Sequence, residues 1–136
     1  MLVPDLGADL VRVFSITKTG HLSPVQPLVT DSGLGPRHLA FWVPRGASPG
    51  EEMYMYLVSE LQNVVVGFKA GYADSGSGMS FSKVYKESVF GHGKTGPEGS
   101  KAAEIVVSVF LLFFSPLCLC LYAWITNSLS PKTPIS

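Results

Sequence analysis

A chain of 136 residues is long enough for one ordinary domain, and 46% hydrophobic against 15% charged residues excludes a disordered polypeptide. Ten lysines and arginines balance ten aspartates and glutamates, scattered without a basic patch, which excludes a nucleic-acid partner held by charge. The apolar residues are unevenly placed: residues 105–125 carry no charge and lift the mean hydropathy to +0.30, while the first hundred residues show short apolar runs between Gly and Pro.

In chain order, Val3-Pro4-Asp5-Leu6-Gly7 reads as a loop of turn-formers, with no positively charged leader and so no expected signal peptide. Residues 10–16 form a β-branched run that turns at Thr19-Gly20, and residues 22–29 form a weaker strand whose Pro24 and Pro27 suit a sheet edge. Leu34-Gly35-Pro36 turns the chain into a strand over 38–43, and residues 45–52 form a surface loop containing Gly46, Pro49 and Gly50. Strands follow over 53–59, 64–69 and 81–89, the last two joined by a Gly/Ser-rich loop over 71–80 expected to be mobile.

The order repeats. Asp5-Leu6, then Asp9-Leu10-Val11-Arg12-Val13-Phe14, is echoed by Glu60-Leu61, then Asn63-Val64-Val65-Val66-Gly67-Phe68, and a third copy begins at residues 102–108. The spacing predicts an all-β chain whose residues 10–89 hold about seven antiparallel strands in about two blades of an incomplete β-propeller. Periodicity alone fits a generic antiparallel sandwich equally well.

The residues Val3-Pro4-Asp5-Leu6-Gly7, Gly35-Pro36-Arg37-His38 and Glu60-Leu61 resemble the lactonase family of seven-bladed β-propellers. That family includes 6-phosphogluconolactonase-like proteins and fungal 3-carboxy-cis,cis-muconate cyclases. The resemblance runs to about Ser108, dividing the chain into a partial propeller over 1–108 and an apolar tail over 109–136. The tail reads either as a helical membrane anchor over about 105–125, with Tyr122 and Trp124 at its interface, or as read-through of non-coding sequence behind a truncated domain. Cys118 and Cys120 within it are too close for an ordinary disulfide and lack the companions of a metal site.

Chemistry on a carboxylated or phosphorylated lactone needs a cation for the anionic group and an acid or base near the ring. The resemblance implies Arg37 for the first role and Glu60 for the second, with Glu60 suited to acid–base work if burial raises its pKa. The family's remaining site residues, an upstream histidine and an arginine in a later Ser-Asn-Arg segment, have no match in the 136 residues. Without the resemblance, Arg37 reads as a partner for an acid across a blade junction and Glu60 as a turn cap. His38, next to Arg37, belongs on the opposite strand face, and His21 and His92 on exposed turns. Asp5 and Asp9 suit Asx turns better than calcium, and the run Gly91-His92-Gly93-Lys94-Thr95-Gly96 lacks the spacing of a phosphate loop.

These readings imply no metal and no cofactor, a small-molecule lactone as partner, a cytoplasmic location or else a membrane one through the tail, and hydrolase or isomerase-type cyclase chemistry that this fragment lacks by itself. The alternatives from other classes are a tail-anchored protein with a β-rich binding head and a non-enzymatic propeller serving as an interaction module.

Overall fold

The computed structural model describes residues 1–48, 52–72, 78–109 and 119–127. Its strands are, in chain order, β1 (Leu2–Asp5), β2 (Leu10–Ile16), β3 (Leu22–Val29), β4 (Pro36–Trp42), β5 (Met53–Ser59), β6 (Val64–Tyr72), β7 (Met79–Ser88), β8 (Ser100–Val109) and β9 (Leu119–Asn127). They form three antiparallel sheets, β1-β2-β3, β4-β5-β6-β7 and β8-β9. The chain is all-β: one complete four-stranded blade lies between parts of two others.

Burial explains the middle sheet. Met55 and Leu57 of β5 join Val66, Phe68 and Ala70 of β6 in a core that also takes Val11 and Leu34 from the preceding sheet and linker. The alternate residues Val58 and Val65 pack on Ala102 and Ile105 of β8. A strand covered on both faces needs apolar residues at successive positions, and Val64-Val65-Val66 supplies them.

The strands expected over 10–16, 22–29 and 53–59 have those limits, and β3 is a sheet edge as its prolines require. Six strands, rather than about seven, lie between residues 10 and 88. The expected loop at Val3-Pro4-Asp5 is instead β1, in which Pro4 sits opposite Val11. A proline costs no ladder bond there because β1 is an edge, so its presence did not exclude a strand.

The helix expected over about 105–125 is not what the described residues form. Residues 105–109 lie in β8 and residues 119–125 in β9, paired from Ser100 opposite Asn127 to Val109 opposite Leu119, while residues 110–118 lie outside the described residues. Nine residues of β-branched and aromatic character such as Leu119–Asn127 suit a strand as well as a helix, and β8 offers them an edge. Among the described residues no helix is long and apolar enough to cross a membrane. Residues 73–77 of the Gly/Ser-rich loop, residues 110–118 with Cys118, and residues 128–136 also fall outside them.

The internal repeat has a structural counterpart at its turns. Asp9 and Asn63, 54 positions apart, both take the left-handed conformation (φ 52° and 53°) that Asp and Asn tolerate best among non-glycine residues. Each closes the hairpin inside one sheet, and each reaches with its side chain into the next. Asp9 accepts from the amides of Gly33 (2.7 Å) and Gly35 (2.9 Å), just before β4. Asn63 donates to the Ser100 carbonyl (2.7 Å) and accepts from the Ala102 amide (2.7 Å), at the start of β8. One Asx side chain thus staples the first sheet to the linker leading into β4 and another ties the second sheet to the start of β8.

Candidate functional site

Two backbone features bring Arg37 and Glu60 together. The first is the turn at Gly35, whose φ of +61° suits glycine and where a Cβ would run into Leu61; its carbonyl accepts from the Glu60 amide at 3.0 Å. Ser59 reinforces this contact, donating its hydroxyl to the Leu34 carbonyl and accepting from the Gln62 amide (3.0 Å). The second feature is a β-bulge. Pro36 pairs with Ser59 and His38 with Val58, so Arg37 is an extra residue in β4 with no partner in the ladder. A bulge re-aims its side chains.

The re-aimed guanidinium donates from Nε to the Ala103 carbonyl (3.0 Å), itself the bulged residue of β8, and makes an ion pair with Glu60 through Nη1 and Oε2. The other carboxylate oxygen, Oε1, takes Lys101 Nζ at 3.3 Å. Side-chain exposure is 13% for Glu60 against 40% for Arg37 and 49% for Lys101, so a recessed carboxylate carries two outward cations. Burial pushes the Glu60 pKa up, but the hydrogen bonds and charges of Arg37 and Lys101 outweigh it and hold the group below its ordinary value. Near neutral pH Glu60 is therefore a carboxylate, able to orient cations or accept a proton, and it has none to donate. The rise in pKa expected from burial alone does not occur, because two cations share the same carboxylate.

Both bland readings of these residues contain part of the geometry. Arg37 does reach across a blade junction, to a carbonyl rather than an acid, and its acid partner is Glu60 of its own blade. The Glu60 side chain meets cations, while its backbone amide ties the turn. Lys101 was not anticipated, since nothing in the sequence relates it to Glu60, 41 residues away. The only available signal was its place just before the third repeat copy.

The other singled-out residues fall elsewhere. His38 does not sit opposite Arg37: the bulge breaks the alternation, and its Nδ1 meets Glu104 Oε1 of β8 at 3.1 Å, so both side chains contact the same neighbouring strand. His92 is almost fully exposed and pairs with Glu87 (2.7 Å). The His21 amide bonds the Thr17 hydroxyl in the β2–β3 hairpin (3.0 Å). Asp5 accepts from the Ala8 amide (3.2 Å) and pairs with Arg12 (2.7 Å), and Asp9 forms the staple described above, which are turn-stabilising roles. Among the described residues no three His, Cys, Asp or Glu side chains gather as metal ligands.

A cavity of about 470 Å³ lies at the other end of the sheets, between Leu2, Phe14, Phe41 and Met79, and touches neither Arg37 nor Glu60.

Comparison with known proteins bears on the chain as a whole. The family model described as Lactonase, 7-bladed beta-propeller, matches residues 1–113. A probable 6-phosphogluconolactonase of Arthroderma benhamiae is 33% identical over 72 residues, 53% of this chain and 17% of the relative. The 6-phosphogluconolactonases of Serratia proteamaculans and Sodalis glossinidius are 37% and 38% identical over 67 and 65 residues, 48% and 46% of this chain and 18% of each relative. The chain thus matches less than a fifth of the length of these curated relatives. A crystal structure of a protein from Lactobacillus plantarum superposes with a TM-score of 0.58 at 29% identity, covering 79% of this chain and 28% of that one.

Proposed function

Because the chain belongs to the lactonase family of seven-bladed β-propellers, we propose that Arg37 and Glu60 are its contribution to a lactone site at one mouth of the propeller. The observation that carries the reading is their juxtaposition, with Glu60 an ionised carboxylate beside a guanidinium fixed by a bulge. In hydrolysis of a lactone bearing a carboxylate or phosphate, Arg37 holds the anionic group and thereby orients the ring. Glu60 takes a proton from the attacking water. Hydrolysis is preferred over muconate-type cyclisation because the curated relatives above carry the name 6-phosphogluconolactonase. The setting in this reading is cytoplasmic.

The propeller part in this reading extends past the expected boundary at Ser108, since the family match runs to residue 113 and β9 pairs with β8. The 136 residues alone are inactive, because the family histidine and the Ser-Asn-Arg arginine are not among them and groups that act as a unit fail together. The test is a graft: the matched stretch of this chain replaces its counterpart in the Serratia 6-phosphogluconolactonase, and hydrolysis of 6-phosphogluconolactone is followed. The folded graft is expected to retain turnover and to lose roughly 10²–10³-fold in kcat/KM with Arg37→Ala or Glu60→Ala. Unchanged turnover in those variants would remove both residues from the site.

A further inference from the structure

We propose that the cavity at the end of the sheets away from Arg37 and Glu60 is a second binding site, which takes one uncharged apolar ring compound. The proposal stands apart from the lactone-site reading, since the cavity touches neither residue of that site. It lies between the first two sheets. Leu2, Phe14 and Val25 line it from the first and Phe41, Met53 and Met79 from the second, and of these Leu2, Met53 and Met79 also pack against the core between the sheets. The core therefore forms part of its wall, and its volume of about 470 Å³ falls within the roughly 300–1,000 Å³ of small-molecule sites.

The walls decide the chemistry of the occupant. Among the described residues, no side chain in the lining carries a charge. The polar groups beside it are already engaged: Ser15 donates its hydroxyl to the Ser23 carbonyl (3.3 Å), and Met1 and Phe14 exchange backbone hydrogen bonds of 2.7 and 2.8 Å. The remaining polar side chain of the lining, Tyr72, is 70% exposed. A charged ligand would lose its water here and gain no partner in return. Water itself is a poor occupant for the same reason. The space holds about fifteen molecules at roughly 30 Å³ each, with few partners on the walls, so an apolar ligand that displaces them gains affinity.

The same walls suit rings. Phe14 and Phe41 bring aromatic surface from opposite sheets, against which a ligand ring can lie offset or edge-on. Met53 and Met79 are unbranched and polarizable, and adapt to the outline of what they touch while favouring aromatic edges. Ile16 lines the cavity and is 58% exposed, which marks the mouth.

The experiment titrates the full 136-residue chain, at a concentration where light scattering gives the monomer mass, with two fluorescent probes of one skeleton. N-phenyl-1-naphthylamine is neutral, and 8-anilino-1-naphthalenesulfonate adds a sulfonate. One neutral probe per chain is expected to bind, about tenfold or more tighter than the sulfonated one. Val25→Trp, which fills the cavity, and Ile16→Glu, which sets a charge at its mouth, should each weaken the neutral probe about tenfold or more. Val84→Glu, at a position of β7 that is 56% exposed and outside the lining, should leave it unchanged. Melting midpoints show which variants fold, and Ile16→Glu carries the test if Val25→Trp does not. Equal affinity for the two probes would overturn the apolar class of ligand. Absence of neutral-probe binding, binding at several places per chain, or a loss in Val84→Glu as large as in Ile16→Glu would overturn the site.

Discussion

Asp9 and Asn63 show how much one side chain can decide in this chain. Asp9 is held below its ordinary pKa by the amides of Gly35 and Gly33, with a smaller opposing effect of burial. A carboxylate with a depressed folded pKa contributes stability above its unfolded value, here about 3.8, and loses it as pH falls through the lower folded value. Melting midpoints measured from about pH 7 down to 2 should fall steeply below about pH 4, and Asp9→Asn should lower the neutral midpoint while flattening that acid limb. An acid limb as steep in the variant as in wild type would mean that other carboxylates carry it. Asn63→Ala removes two hydrogen bonds from the start of β8 and loses the side chain that tolerates positive φ, so chemical denaturation should show a loss of about 1–3 kcal/mol. The Asp9 and Asn63 repeat positions were readable in the sequence as polar residues in a turn. Their reach into the next sheet was not, because no local pattern encodes a partner 24 to 39 residues away.

At the level of strands, alternation and turn chemistry carried most of the information. β2, β3 and β5 are legible to the residue because β-branched runs there end at Gly, Pro or polar turns. β1 was hidden by Pro4 and Asp5, which read as turn-formers wherever the edge position of a strand is unknown. The bulge at Arg37 was equally hidden. A bulge is a mismatch of register between two strands and leaves no signature in either one, so simple alternation puts His38 on the face opposite Arg37, and the partner of Arg37 across the junction is a carbonyl of β8 instead of an acid. The middle sheet supports a direct packing test: Leu57, fully buried in the first core, should cost about 2–5 kcal/mol on truncation to Ala. Phe41, 41% exposed on β4, should cost far less in the same denaturant titration. Similar losses at both positions would show that the β4 face is covered in solution.

For the molecule as a whole, the family, the all-β class and the blade-sized period were visible in the sequence, and the identity of the innermost strand pairings was not. β1 is the inner edge of its sheet and has one strand partner among the described residues, whereas its repeat counterpart β5 has two. An edge with unpaired backbone groups and exposed apolar residues such as Val3 is a template for further pairing. The purified chain is expected to associate with rising concentration in light-scattering measurements, and Val3→Lys to reduce that association. Concentration-independent mass for the wild-type chain would show that the edge is already covered.

The staples also make a clock. Most amides in a propeller are held by neighbours in their own sheet, so their exchange with solvent deuterium reports the fraying of that sheet. The amides of Gly35 and Ala102 are held instead by a side chain belonging to the sheet before. Their exchange requires two sheets to part, even if every ladder stays intact. These two protons can therefore time the separation of one blade from the next, a motion that amides bonded within a ladder do not register.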